Sequence, residues 1–119
     1  MTRRRPEQTI QRTLFQHFAT RRARGAFAWH CPNGGYRSPI EAKIFKGLGV
    51  VAGIPDVHAV RDGRFYGLEL KAEHGRLSAS QVEAMRLLEE AGATVGIANN
   101  IDDALHLLEQ WGLLRGSAQ

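Results

Sequence analysis

The chain has 119 residues, 43% of them apolar and 24% charged, with a net charge of +4. That is a globular composition of single-domain size, and it excludes low-complexity and fibrous classes. A pI near 9.8 favours a polyanionic partner. The single cysteine, Cys31, allows no internal disulfide and suits a reducing compartment. No apolar run approaches the ~20 residues of a membrane span, so no membrane partner is expected. Arg3-Arg4-Arg5 lacks the apolar stretch that would make it a signal peptide.

Residues 1–5 read as a short basic arm, either a solvated terminus or a segment that touches phosphate through Arg3, Arg4 and Arg5. Pro6 suits the first turn of a helix, and Ile10, Leu14, Phe15 and Phe18 form its apolar stripe. Glu7 lies on the same stripe. It is either a favourable charge near the helix N-terminus or an acid reaching a site elsewhere. Arg21, Arg22 and Arg24 follow, and Gly25 is expected to end the helix. Residues 26–31 read as a strand, and residues 32–35 (Pro-Asn-Gly-Gly) as a turn. That turn is either a plain loop or a place where Asn33, Tyr36 and Arg37 meet nucleic acid. Ser38 to Phe45 predicts a short helix with Ser38 as cap and Glu41 completing a capping box. Lys43 and Lys46 add charge to it, and Gly47 and Gly49 stop it.

Asp62-Gly63 between two apolar runs predicts a hairpin. With that pair as the turn, Arg61 faces Arg64, Val60 faces Phe65 and Asp56 faces Glu69. Directly opposed residues share a face of the sheet, and Lys71, two beyond Glu69, shares it too. His58 is expected there as an ordinary polar strand residue. Val57, Ala59, Tyr66, Leu68 and Leu70 would pack on the other side. Two carboxylates so close repel, and one is pushed to protonate unless a cation intervenes. Lys71 supplies that charge in one reading, a salt-bridged hairpin. A hard divalent cation, Mg²⁺ or Mn²⁺, supplies it in the other.

Beyond the charged loop with Arg76, Ser78 and Gln81 form a second capping box, opening a helix to about Ala91 that Gly92 ends. Val82, Met85 and Leu88 are its expected inward face. Gln81 is on the Met85 stripe, free to cap or to orient a water or phosphate. Residues 93–98 read as a strand, and Ile101 to Trp111 as a last helix with Ile101, Ala104, Leu105 and Leu108 inward. Residues 112–119 read as a tail, with Leu113 and Leu114 as core cover or as an interface. The strand at 94–98 follows the hairpin through a helix, so it should run parallel to the hairpin's second strand. The fold class is therefore α/β: a mixed sheet with a central hairpin, flanked by helices.

Pro55-Asp56 followed by Glu69-Leu70-Lys71 resembles the PD-(D/E)XK nuclease signature. With Glu7, Asn33, Gly49-Val50, Gly53-Ile54, Gly75, Ser78 and Gln81, the string from Glu7 to about Leu108 resembles the VRR-NUC (virus-type replication-repair nuclease) family. The resemblance implies a single restriction-endonuclease-like domain over 1–119 and a metal-dependent phosphodiesterase acting on nucleic acid. It makes Asp56, Glu69 and the backbone carbonyl of Leu70 ligands of Mg²⁺ or Mn²⁺, with Glu7 joining directly or through a water. Lys71 would position or deprotonate the attacking water or stabilise the oxyanion, and Gln81 would line the site. Asn33, Tyr36, Arg37, Lys43, Lys46, Arg76 and the arginine arm are the expected nucleic-acid contacts. The substrate expected is structured or branched DNA, including four-way (Holliday) junctions cut by a homodimer, with no small-molecule cofactor, in the cytoplasm of a bacterial or phage-infected cell. The alternatives are a non-catalytic nucleic-acid-binding module and a sequence-specific restriction-type endonuclease. Residues 111–114 (Trp-Gly-Leu-Leu) are one candidate for the dimer contact.

Overall fold

The computed structural model describes residues 5–32 and 38–116. Helix α1 (Arg5–Arg21) leads to strand β1 (Phe27–His30), the short helix α2 (Pro39–Gly47) and the hairpin β2 (Val57–Arg61) and β3 (Arg64–Leu70). Helix α3 (Ala79–Glu90), strand β4 (Thr94–Ala98) and helix α4 (Ile101–Gln110) complete the chain. The strands form one mixed sheet in the order β1-β2-β3-β4. The first two pairings are antiparallel, and β3 with β4 is parallel.

Local chemistry accounts for most of these elements. Asp62 and Gly63 adopt φ of 52° and 76°. That is the left-handed pair a two-residue hairpin turn needs, and only a short polar residue and a glycine take it cheaply. It fixes Arg61 opposite Arg64 and Val57 opposite Leu68, the register expected from the sequence. Both capping boxes form: Ser38 with Glu41 on α2, and Ser78 with Gln81 on α3. Asn100 caps α4 by accepting from the Asp103 N–H.

The core lies on one face of the sheet, between it and the α1–α4 pair. Leu14 and Phe18 of α1 and Ala104 and Leu108 of α4 pack on Val57, Ala59, Leu68 and Leu70. An Arg21–Glu109 ion pair at 2.8 Å joins the two helices. Helix α3 lies on the opposite face. Gly53, at φ +83°, passes so close to its first turn that a Cβ would sit 2.4 Å from the Ser80 carbonyl.

Two expectations are corrected, and one open alternative is decided. Helix α1 stops at Arg21 rather than running to Gly25. Tertiary pairing takes over there, because Arg22 bridges Leu114 and the Ala23 N–H donates to the Leu113 carbonyl at 2.8 Å. Val82 is 52% exposed instead of inward. The buried stripe of α3 carries Ala84 and Met85, one step round the helix. Leu113 and Leu114 are core cover: both are buried, and Trp111 stacks on Tyr66 with ring centroids 5.5 Å apart. Of residues 111–114, Leu113 and Leu114 are thus taken up by the core, while Trp111 is half-buried.

Candidate active site

Asp56 sits one residue ahead of β2, and its backbone is held by the end of β1. Its carbonyl accepts from the Cys31 N–H at 2.8 Å and bonds His30 Nδ1 at 2.9 Å. Its side chain is held by β3: Oδ2 accepts the Leu70 N–H at 3.0 Å. Continuing the observed register by one pair sets Asp56 opposite Glu69. Glu69 is 3% exposed, the one charged residue among the buried ones described. Its Oε2 accepts from Gln81 Nε2 at 3.0 Å, while Oε1 is buried with no hydrogen-bond partner.

The electrostatics follow from this crowding. Burial first, then the nearby Asp56 carboxylate, push the Glu69 carboxyl up to about 8. Glu7 adds to that, and Lys71 opposes it without cancelling it. Among the described residues Lys71 forms no ion pair within 4.0 Å of a carboxylate. The salt-bridged hairpin is therefore not what the geometry contains. The patch has an excess of negative charge and a buried oxygen with an unused lone pair.

Gln81 caps α3 and also braces Glu69. Its Oε1 accepts the Ser78 N–H at 2.8 Å, closing the capping box, and that fixes the amide so its NH₂ points at Glu69. Glu7 reaches the neighbourhood from α1, but its Oε2 accepts the Ala72 N–H at 3.2 Å. Asn99, read from sequence only as a turn residue, donates from Nδ2 to the Ala72 carbonyl at 3.1 Å. Glu7 and Asn99 thus clamp the residue after Lys71 from two elements. Only an asparagine at a strand end hinted at this role. His58 shares the acidic face, between Trp29 and Phe65 at ring-centroid distances of 5.6 and 5.2 Å, and burial lowers its pKa.

Among the described residues no group of three or more His, Cys, Asp or Glu is gathered to hold a metal ion. The chain offers two converging carboxylates, so Glu7 is not a third member of a ready-made cage. Two carboxylates with an unsatisfied oxygen still fit Mg²⁺ or Mn²⁺, hard cations that keep several waters and take few protein ligands. Lys43 and Lys46 lie exposed on α2, and Arg76 is exposed in the loop before α3. Arg3, Arg4, Asn33, Tyr36 and Arg37 lie outside the described residues, as does the side chain of Arg5.

No family model matches the sequence, and no curated protein matches it. Solved structures do. A "VRR_NUC domain protein" superposes with a TM-score of 0.74 at 23% identity, covering 96% of both chains. The chain has the VRR_NUC fold. A second structure, a "VRR_NUC domain", gives a TM-score of 0.61 at 18% identity over 89% of this chain and 97% of that one. The mixed sheet flanked by helices is the restriction-endonuclease-like architecture expected of a VRR_NUC fold. At these identities the agreement is one of fold, and the chemistry rests on the side chains themselves.

Proposed function

We propose that this chain is a Mg²⁺- or Mn²⁺-dependent nuclease that hydrolyses phosphodiester bonds in structured or branched DNA, and that it belongs to the VRR-NUC family. The observation that carries this is the pairing of Asp56 with the buried, cation-poor Glu69 on a VRR_NUC fold. Asp56, Glu69 and the Leu70 carbonyl are the proposed ligands, with Glu7 contributing at most through a water. When bound, the cation supplies a more acidic water and screens the phosphate's charge.

The chain's own groups do the rest. Gln81 fixes the rotamer of Glu69, and the Leu70 N–H fixes that of Asp56. Lys71 brings a compact positive charge to the same face, where negative charge grows on the phosphoryl oxygens. Lys43, Lys46 and Arg76 hold backbone phosphates without reading bases, which suits selection by shape. Cutting two strands of a junction requires two such sites.

The test is cleavage of a labelled panel (duplex, flap, four-way junction, single strand) with Mn²⁺ and with EDTA. Wild type is expected to cut at least one branched substrate only with the cation. Asp56→Ala and Lys71→Met are each expected to lose about 100-fold or more in rate while keeping the fold. Identical traces from wild type and Asp56→Ala would refute the nuclease reading. Cation-independent binding without cutting would leave the non-catalytic module. Discrete fragments from plasmid DNA would point to a sequence-specific enzyme.

A further inference from the structure

Strand β3 outruns its neighbours at the end that carries the site. Its last pair with β2 is Leu68 with Val57, and its last pair with β4 is Leu70 with Ala98. Lys71 still donates its N–H to the Ala98 carbonyl at 2.9 Å, but β4 then gives way to α4. Side chains take over the ladder there. The Ala72 N–H donates to Glu7 Oε2 at 3.2 Å, and the Ala72 carbonyl accepts from Asn99 Nδ2 at 3.1 Å. The same carbonyl accepts the Gly75 N–H at 2.7 Å. A Cβ on Gly75 would lie 3.4 Å from the Lys71 Cβ, so this turn folds against the root of the lysine. Its far end has no such support, because among the described residues Lys71 forms no ion pair within 4.0 Å of a carboxylate. A flexible four-carbon stem held only at its root points where the backbone aims its Cα–Cβ bond.

We infer that Asn99, acting with Glu7, is a positioning residue for Lys71: the two side chains complete the sheet where β4 stops and so set the direction in which the ammonium leaves β3. The amide of Asn99 suits this place because it donates a hydrogen bond without adding charge to an already acidic patch. An ionised carboxylate there would face the Ala72 carbonyl with no proton to give. Asn100, not Asn99, caps α4, so the Asn99 side chain is not spent on starting that helix. The clamp joins α1, the end of β3 and the corner between β4 and α4. Its effect on cleavage rests on the nuclease reading above, whereas the clamp itself does not.

The experiment has two arms. In the metal-free protein, amide hydrogen exchange at Lys71 and Ala72 is expected to quicken by about 10-fold or more in Asn99→Ala and in Asn99→Asp, beyond any change at Leu68 in the middle of β3. In cleavage of a branched substrate with saturating Mn²⁺, Asn99→Ala is expected to lose about 10-fold or more in kcat. Its KM, and the Mn²⁺ concentration that half-stabilises it against heat, should stay within about 2-fold of wild type. In a Lys71→Met background the same change should cost less than about 2-fold, because the group it aims is gone. Glu7→Gln, which can still accept from the Ala72 N–H, should cut faster than Glu7→Ala. Unchanged exchange at Ala72 would overturn the inference whether or not the protein cuts DNA. So would the full loss of kcat recurring in the Lys71→Met background, or a loss matched by weaker Mn²⁺ binding. Wild type that cuts nothing fails the nuclease reading, and the exchange arm still decides the clamp.

Discussion

Glu69 carries the clearest physical signature in the molecule. An ordinary carboxylate ionises near 4.5, and this one is held up to about 8 by burial and by Asp56. Between those values the folded metal-free protein binds a proton that the unfolded chain does not. Its stability is therefore greatest below about pH 4.5 as far as this group is concerned, and is lost as pH rises toward 8. Thermal melts in EDTA should show the midpoint falling from pH 5 to 8.5. Glu69→Gln, which keeps the shape and can still meet Gln81, should flatten that slope. A wild-type midpoint that does not move over this range would contradict the crowding of the two acids. Mn²⁺ should stabilise wild type more at pH 8.5 than at pH 6, because it competes with that proton.

Among the elements, the loop into Asp56 and the first turn of α3 are a matched pair. Gly53 lets the loop pass over Ser80, and Ser78 with Gln81 turns the helix start into a support for Glu69. Gly53→Ala would put a methyl group into the Ser80 backbone at a positive φ that alanine adopts poorly. A loss of more than about 2 kcal/mol is expected in urea denaturation. Ser78→Ala should cost about 1 kcal/mol of cap energy. It should also reduce cleavage by more than its stability effect explains, because the Gln81 amide loses its anchor. If both variants unfold like wild type, the loop and helix are not coupled as described.

At the scale of the whole molecule, the C-terminal residues belong to the core. Leu113 is fully buried, and Arg115 donates its N–H to the Arg21 carbonyl at 2.8 Å, tying the end of the chain to the end of α1. Leu113→Ala should lower the free energy of unfolding by about 2–5 kcal/mol, measured by urea titration. A surface tail would tolerate the same change. No helix among the described residues is long and apolar enough to cross a membrane. The exposed apolar side chains are densest over residues 40–51, with others at Phe27, Val82, Leu87 and Ile97.

What the sequence could determine was everything local. A turn of Asp62-Gly63 admits few geometries and period-2 alternation propagates from it, so the register, the approach of Asp56 to Glu69 and the core-facing set could be counted out in advance. Capping boxes are likewise three-residue chemistry, and both were readable at Ser38 and Ser78. What only the tertiary structure decided were contacts between segments distant in the chain. Glu7 turned to the Ala72 N–H, Asn99 took the Ala72 carbonyl, and α1 ended early to pair with Leu113 and Leu114. Val82 rotated outward because α3 buries Ala84 and Met85. Periodicity states that a stripe exists; which neighbour it meets, and therefore which residues turn inward, depends on packing that no short window of sequence contains.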